Sequence, residues 1–131
     1  HAGRYRAFGL LNTLALRMTA GITSLIVARA GSGTIFEVAS WGIPAIMVPI
    51  PNEISHDQTE NAFSYARAGG AIVLEQRNLT PHLLVAEIKR VMADQALRSK
   101  MSAAAKAFSR PDAARKIATI LMDTALEHTA D

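Results

Sequence analysis

The sequence predicts an α/β domain in which helices flank a parallel sheet. Three observations point there. Short apolar runs rich in branched residues recur at residues 25–28, 45–48 and 71–74, the pattern of strands buried on both faces. Between and after them lie segments with apolar residues at helical spacing, so strands and helices alternate. Glycine, proline or a capping residue marks the element boundaries, among them Gly42-Ile43-Pro44, Gly69-Gly70 and Thr80-Pro81.

Residues 5–11, with Tyr5, Phe8, Leu10 and Leu11, read as a strand running into a loop. Asn12 or Thr13 caps a helix over about 13–21, to which Leu14, Leu16 and Met18 bring apolar surface. The strand at 25–28 follows. Gly31 and Gly33 then let the backbone turn sharply and leave room close to the main chain. Thr34 opens a short helix that Gly42 ends, and the strand at 45–48 comes next. A polar loop with Pro51 leads to a helix over about 57–68, with Ala62, Tyr65 and Ala66 (and Phe63) turned inward. After the strand at 71–74, Thr80-Pro81 starts a helix carrying Leu84, Ile88, Val91 and Met92. Asp94 caps another over 95–108. The last, about 112–127, puts Ala113, Ile117, Ile120, Leu121 and Thr124 on one face.

At 131 residues the chain fits one domain, and half of its residues are hydrophobic, which excludes whole-chain disorder. No apolar run approaches the roughly 20 residues that span a bilayer, and the opening residues carry no signal-peptide pattern. Cysteine is absent, so disulfides and thiolate metal sites are ruled out, in keeping with a cytoplasmic protein. Fourteen basic residues against eleven acidic give a net charge of +3. The first 36 residues hold Arg4, Arg6, Arg17 and Arg29 and no acid, and residues 98–116 hold six bases against Asp112 alone. Either segment suits a phosphate or an anionic membrane, or is a solvated helix face. No aromatic residues interleave with these bases, which argues against nucleic acid.

In a parallel sheet, ligands sit outside the carboxyl ends of the strands. That rule puts the turn at residues 29–34 and the loop at 50–58 on one rim. Gly31, Ser32, Gly33 and Thr34 suit a phosphate held by main-chain N–H groups at a helix start, or form a tight turn that needs glycine for geometry alone. Glu37 either accepts two hydrogen bonds from a ribose diol or closes a capping box with Thr34. Asp57, Gln58 and Asn61 suit the hydroxyls of a hexose, with ordinary capping by Asp57 as the plain alternative. His56 stands without a second histidine nearby, so no metal site, no histidine triad and no cofactor is indicated.

Four stretches together resemble the donor-binding half of the family 28 glycosyltransferases. They are residues 29–39 (Arg29-Ala30-Gly31-Ser32-Gly33-Thr34 through Glu37), Gly42 to Pro49, Asp57 to Ala62, and Arg110-Pro111-Asp112-Ala113-Ala114. The likeness covers about residues 5–127. It is strongest to the branch that transfers N-acetylglucosamine from UDP-N-acetylglucosamine to lipid-linked muramyl-pentapeptide in peptidoglycan synthesis. The resemblance implies a Rossmann-like parallel sheet within a two-domain GT-B enzyme, with the sugar nucleotide between the domains. It implies donor-binding roles for Arg29, Gly31, Ser32, Gly33, Thr34, Glu37, Asp57, Gln58 and Asn61. The turn at 31–34 would hold the diphosphate, Glu37 the ribose, and Asp57 and Gln58 the sugar with Asn61 in support. The main chain near Leu10 and Leu11 would lie against uracil. It further implies a cytoplasmic enzyme, peripheral on the inner face of an anionic membrane.

The family often has His-Gln or Gln-Gln where this chain has Asp57-Gln58, which leaves the sugar open. The family's first strand, glycine loop, helix and second strand are not seen, nor is the acceptor domain with its base. Residues 1–131 are therefore expected to be part of a donor domain, inactive alone and without a catalytic residue. In the doubly wound order 3-2-1-4-5-6, residues 5–10 take the third place and residues 25–28 the fourth. An unpaired edge at 25–28 is then expected, covered by residues 5–10 or by another chain. Two other readings stand beside this one. The first is a donor-binding subunit that works with a separate membrane-bound partner. The second is a dinucleotide-binding domain using Gly31, Gly33 and Glu53, with Phe36 at the third glycine position.

Overall fold

The computed structural model describes residues 2–55 and 57–127. Its centre is a three-stranded parallel sheet, β1 (Ile26–Ala28), β2 (Ala45–Met47) and β3 (Ala71–Val73), in the order β1-β2-β3. Register sets Val27 beside Ile46 and Ile46 beside Ile72. The ladder continues to the carboxyl rim, where the Val48 N–H donates to the Ala28 carbonyl at 2.8 Å and the Leu74 N–H to the Met47 carbonyl at 2.9 Å.

Strand side chains alternate between faces, and the sheet has two unlike sides. Ala45, Met47 and Ala71 meet Ile35, Val38, Ala39, Ala62, Tyr65 and Ala105 on one side. These come from α2 (Ser32–Trp41), α3 (Gln58–Arg67) and α5 (Gln95–Phe108). Ile46, Val48 and Leu74 meet Leu83, Leu84 and Ile88 of α4 (Pro81–Ala93) on the other. Only β2, in the middle, is buried at every position. Ile46 and Met47 are fully buried there, each contributing about 1.5–3 kcal/mol of apolar transfer.

The helix starts follow local chemistry. Asn12 accepts from the Ala15 N–H at 2.9 Å and starts α1 (Thr13–Ala20). Thr80 and Asp94 accept from Leu83 and Leu97 at the heads of α4 and α5. Gly42 closes α2 in the left-handed conformation (φ 68°), which glycine adopts without a Cβ penalty.

Several expectations change. Residues 5–10 form no strand, and Tyr5, Phe8 and Leu10 are exposed. The outer edge of β1 pairs with no strand among the described residues, and residues 5–10 do not take that place. Strand β1 is not buried on both faces: Val27 is 43 % exposed at an open recess beside Ile88 and Met92 of α4. Helix α2 begins at Ser32, two residues before Thr34. On α3, Ala62 and Tyr65 are buried and Ala66 half-buried, whereas Phe63 faces outward. The apolar face expected at the end of the chain does form, on α6 (Ala113–Glu127), but Ile117, Ile120 and Leu121 remain exposed. No described helix is long and apolar enough to cross a membrane.

Candidate functional site

Strand β1 ends at Ala28, and the chain turns through Arg29, Ala30 and Gly31 into α2. Strand β2 ends at Met47, and the chain passes Pro49 and Pro51 before α3 begins at Gln58. Both loops therefore lie beyond the carboxyl ends of adjacent strands. One side chain joins them. Gln58 Oε1 accepts from the Ala30 N–H at 3.2 Å and from the Ile50 N–H at 3.1 Å. Oxygen rather than nitrogen must face this pair, since both partners are donors. Ala30 is fully buried, so its N–H has no route to water and depends on Gln58.

The turn at 31–34 is not built as expected. Gly31 is extended (φ −64°, ψ 144°), a conformation open to any residue, and no side chain caps α2. Gly33 has a negative φ, and a Cβ there would meet nothing within 4 Å; one on Gly31 would only touch Thr34 Oγ1 at 4.0 Å. Neither glycine is required by backbone geometry or by internal packing. Smallness here leaves open space before the first N–H groups of the helix, where partial positive charge gathers. Ser32 and Gly33 are exposed and Thr34 half-buried beside that space.

Glu37 is exposed on α2, and its carboxylate makes no hydrogen bond or ion pair among the described residues. The capping box cannot close, because helix initiation at Ser32 places Thr34 and Glu37 both inside the helix. Instead Thr34 and Glu37 border a recess of 260 Å³, walled by Leu16 of α1 and by Ile26, Val38 and Trp41. From the amino-terminal segment, Leu16, Thr19, Ala20 and Thr23 line this recess, and Leu10 is wholly exposed.

Asp57 directly precedes α3 and is exposed; it does not cap the helix through its side chain. Asn61, half-buried, follows one turn later, with its N–H donating to the Asp57 carbonyl at 3.0 Å. The carboxylate of Asp57 is thus left for other partners. His56 lies outside the described residues. Arg29 Nη1 donates to the Val48 carbonyl at 3.2 Å and to Gln76 Oε1 at 2.5 Å. Gln76 opens the 3-10 turn after β3 and also lines a 370 Å³ pocket with Pro51, Asn52 and Thr59. Nothing in the local sequence signals Gln76, whose partner Arg29 is 47 residues away. Glu53 lines the same pocket from a loop and not from a strand end, as a ribose-binding acid of a dinucleotide domain would. Phe36, at that motif's third glycine position, stacks on Phe108 with centroids 5.9 Å apart. No described group of three or more acids and histidines is placed to hold a metal ion.

Residues 5–117 match the family described as glycosyltransferase family 28 C-terminal domain. The UDP-N-acetylglucosamine–N-acetylmuramyl-(pentapeptide) pyrophosphoryl-undecaprenol N-acetylglucosamine transferase of Nitrobacter hamburgensis is 43 % identical over 101 residues, 77 % of this chain and 27 % of that protein. The enzyme of the same name from Rhodopseudomonas palustris is 41 % identical over 99 residues, 76 % of this chain and 27 % of its own length. Among solved structures, MurG of Acinetobacter baumannii superposes with a TM-score of 0.73 at 30 % identity, over 82 % of this chain and 30 % of that one. The glycosyltransferase VinC, crystallised with dTDP, superposes with a TM-score of 0.53 at 30 % identity, over 63 % of this chain and 19 % of VinC. The chain spans under a third of the length of these relatives.

Proposed function

The chain belongs to the glycosyltransferase family 28 C-terminal domain family, and on that premise we propose that residues 1–131 bind the donor UDP-N-acetylglucosamine for a hexosyl transfer. The acceptor is the lipid-linked muramyl-pentapeptide of peptidoglycan synthesis, met through a separate acceptor domain at the cytoplasmic face of an anionic membrane. The observation that carries the reading is the rim itself. Gln58 ties the turn at 29–34 to the loop at 50–58, and both glycines of the turn leave space that the fold does not use.

On this reading the free N–H groups of residues 31–34 receive the diphosphate, with the Ser32 and Thr34 hydroxyls adding donors and Arg29 adding charge. Glu37 accepts from the ribose diol; it borders an apolar recess of the size a flat base requires, and no other described group engages its carboxylate. Asp57, the Gln58 amide N–H₂ and Asn61 recognise the sugar. Transfer itself needs the acceptor side, so this segment binds without turning substrate over. Phe36 occupies the place of a third glycine and is engaged with Phe108, which weighs against dinucleotide binding.

Calorimetry on the full native chain with UDP, UDP-N-acetylglucosamine and NAD tests the reading. UDP binding without NAD binding is expected. Glu37→Gln should weaken UDP at least about tenfold, an energy near 1.4 kcal/mol, since two charge-assisted hydrogen bonds are at stake. Its melting temperature should stay put, because no capping box is lost. NAD binding without UDP binding overturns the proposal.

A further inference from the structure

Arg29 leaves the chain just before the glycine turn, and its guanidinium is held at one corner. Nη1 donates both to the carbonyl of Val48, the residue after β2, and to Gln76 Oε1 in the turn after β3. The side chain therefore runs along the carboxyl ends of all three strands. Nε and Nη2 make no hydrogen bond or ion pair among the described residues. Both acceptors are neutral, and this decides what the arginine can do. A carboxylate at position 76 would hold the guanidinium at least as well but would neutralise it. The acid next door, Glu75, is already bound to Arg77 at 2.6 Å. Arg29 is thus anchored without being cancelled. Anchoring removes side-chain freedom before any ligand arrives, so less entropy is lost on binding.

We propose that Gln76 is a positioning residue for the anionic part of the donor. It holds Arg29 at Nη1 so that the remaining guanidinium edge, with its charge intact, serves the diphosphate at the turn of residues 31–34. The inference rests on the donor-site reading above. It gives the carbonyl oxygen of Gln76 a defined chemical requirement: it must accept a hydrogen bond and must not carry charge.

The test is titration of the full native chain with UDP by calorimetry and with uridine by ligand-observed NMR, with melting temperatures measured alongside. Gln76→Glu keeps the acceptor and adds charge. It should lower UDP affinity about tenfold, leave uridine affinity unchanged and leave the melting temperature undiminished. Gln76→Met, which removes the acceptor, should also lower the ratio of UDP to uridine affinity, by a smaller factor. In an Arg29→Met background, Gln76→Glu should have little further effect on that ratio, since the group it acts through is gone. A merely structural role for Gln76 would move the melting temperature and both ligands together. An unchanged ratio in Gln76→Glu, where Arg29→Met does lower it, overturns the positioning role alone. Absence of UDP binding by the unaltered chain overturns the donor-site reading, and this inference with it.

Discussion

Replacing Gln58 by methionine should unfasten the candidate site and destabilise the domain together. Methionine keeps the length of the side chain at the head of α3 but removes the oxygen that serves two backbone donors. The Ala30 N–H, on a fully buried residue, is then left without a partner, at a cost of about 1–3 kcal/mol. The half-buried Ile50 N–H can recover water in part, so its loss is nearer about 1 kcal/mol. The expected total is about 2–4 kcal/mol. For 131 residues each kcal/mol shifts the melting temperature by about 4 °C, so a fall of roughly 8–16 °C is expected. Thermal unfolding followed by circular dichroism on the full native chain reads it directly. Gln58→Glu provides the control. A carboxylate still accepts from both N–H groups, so the melting temperature should hold within about 2 °C, while the amide N–H₂ offered to the sugar is lost. A Gln58→Met variant that melts with the unaltered protein would refute the clamp and the convergence of loops that depends on it.

Two further outcomes follow from buried and unburied polar groups. Tyr65 is fully buried, its hydroxyl has no hydrogen-bond partner among the described residues, and desolvation pushes its pKa up to about 12 from 10. The unfolded chain then loses this proton first, so stability should fall between about pH 10 and 12 by roughly 2–3 kcal/mol. Tyr65→Phe should remove that part of the alkaline loss and be neutral or stabilising at pH 7, as urea unfolding across pH would show. Asp94 and Asp57 should behave oppositely. Asp94→Ala should cost about 1 kcal/mol, since its carboxylate caps α5 at 2.8 Å. Asp57→Ala should cost no stability, because Asp57 makes no capping bond, and should weaken UDP-N-acetylglucosamine more than UDP.

The sequence by itself determined the elements whose signals are local. Asn12, Thr80 and Asp94 cap helices as their side-chain chemistry dictates, and Gly42 ends α2 because glycine tolerates a positive φ. The apolar runs gave β1, β2 and β3 within a residue at each end, and four motifs in order marked the family. Local signals failed where a competing local pattern or a missing neighbour intervened. Thr34-x-x-Glu37 matches a capping box, yet uncapped Gly31 starts the helix, which frees Glu37 for other partners. Residues 5–10 have the apolar character of a strand, but a strand exists only against another, and none adjoins them. The tertiary structure alone decided how the rim is held together. Gln58 reaches back 28 residues to Ala30, and Gln76 reaches back 47 to Arg29. A side-chain amide carries no periodicity and no backbone preference that reveals a distant partner. Parallel pairing brings the three loops to one edge, and only then do these side chains find what they bind.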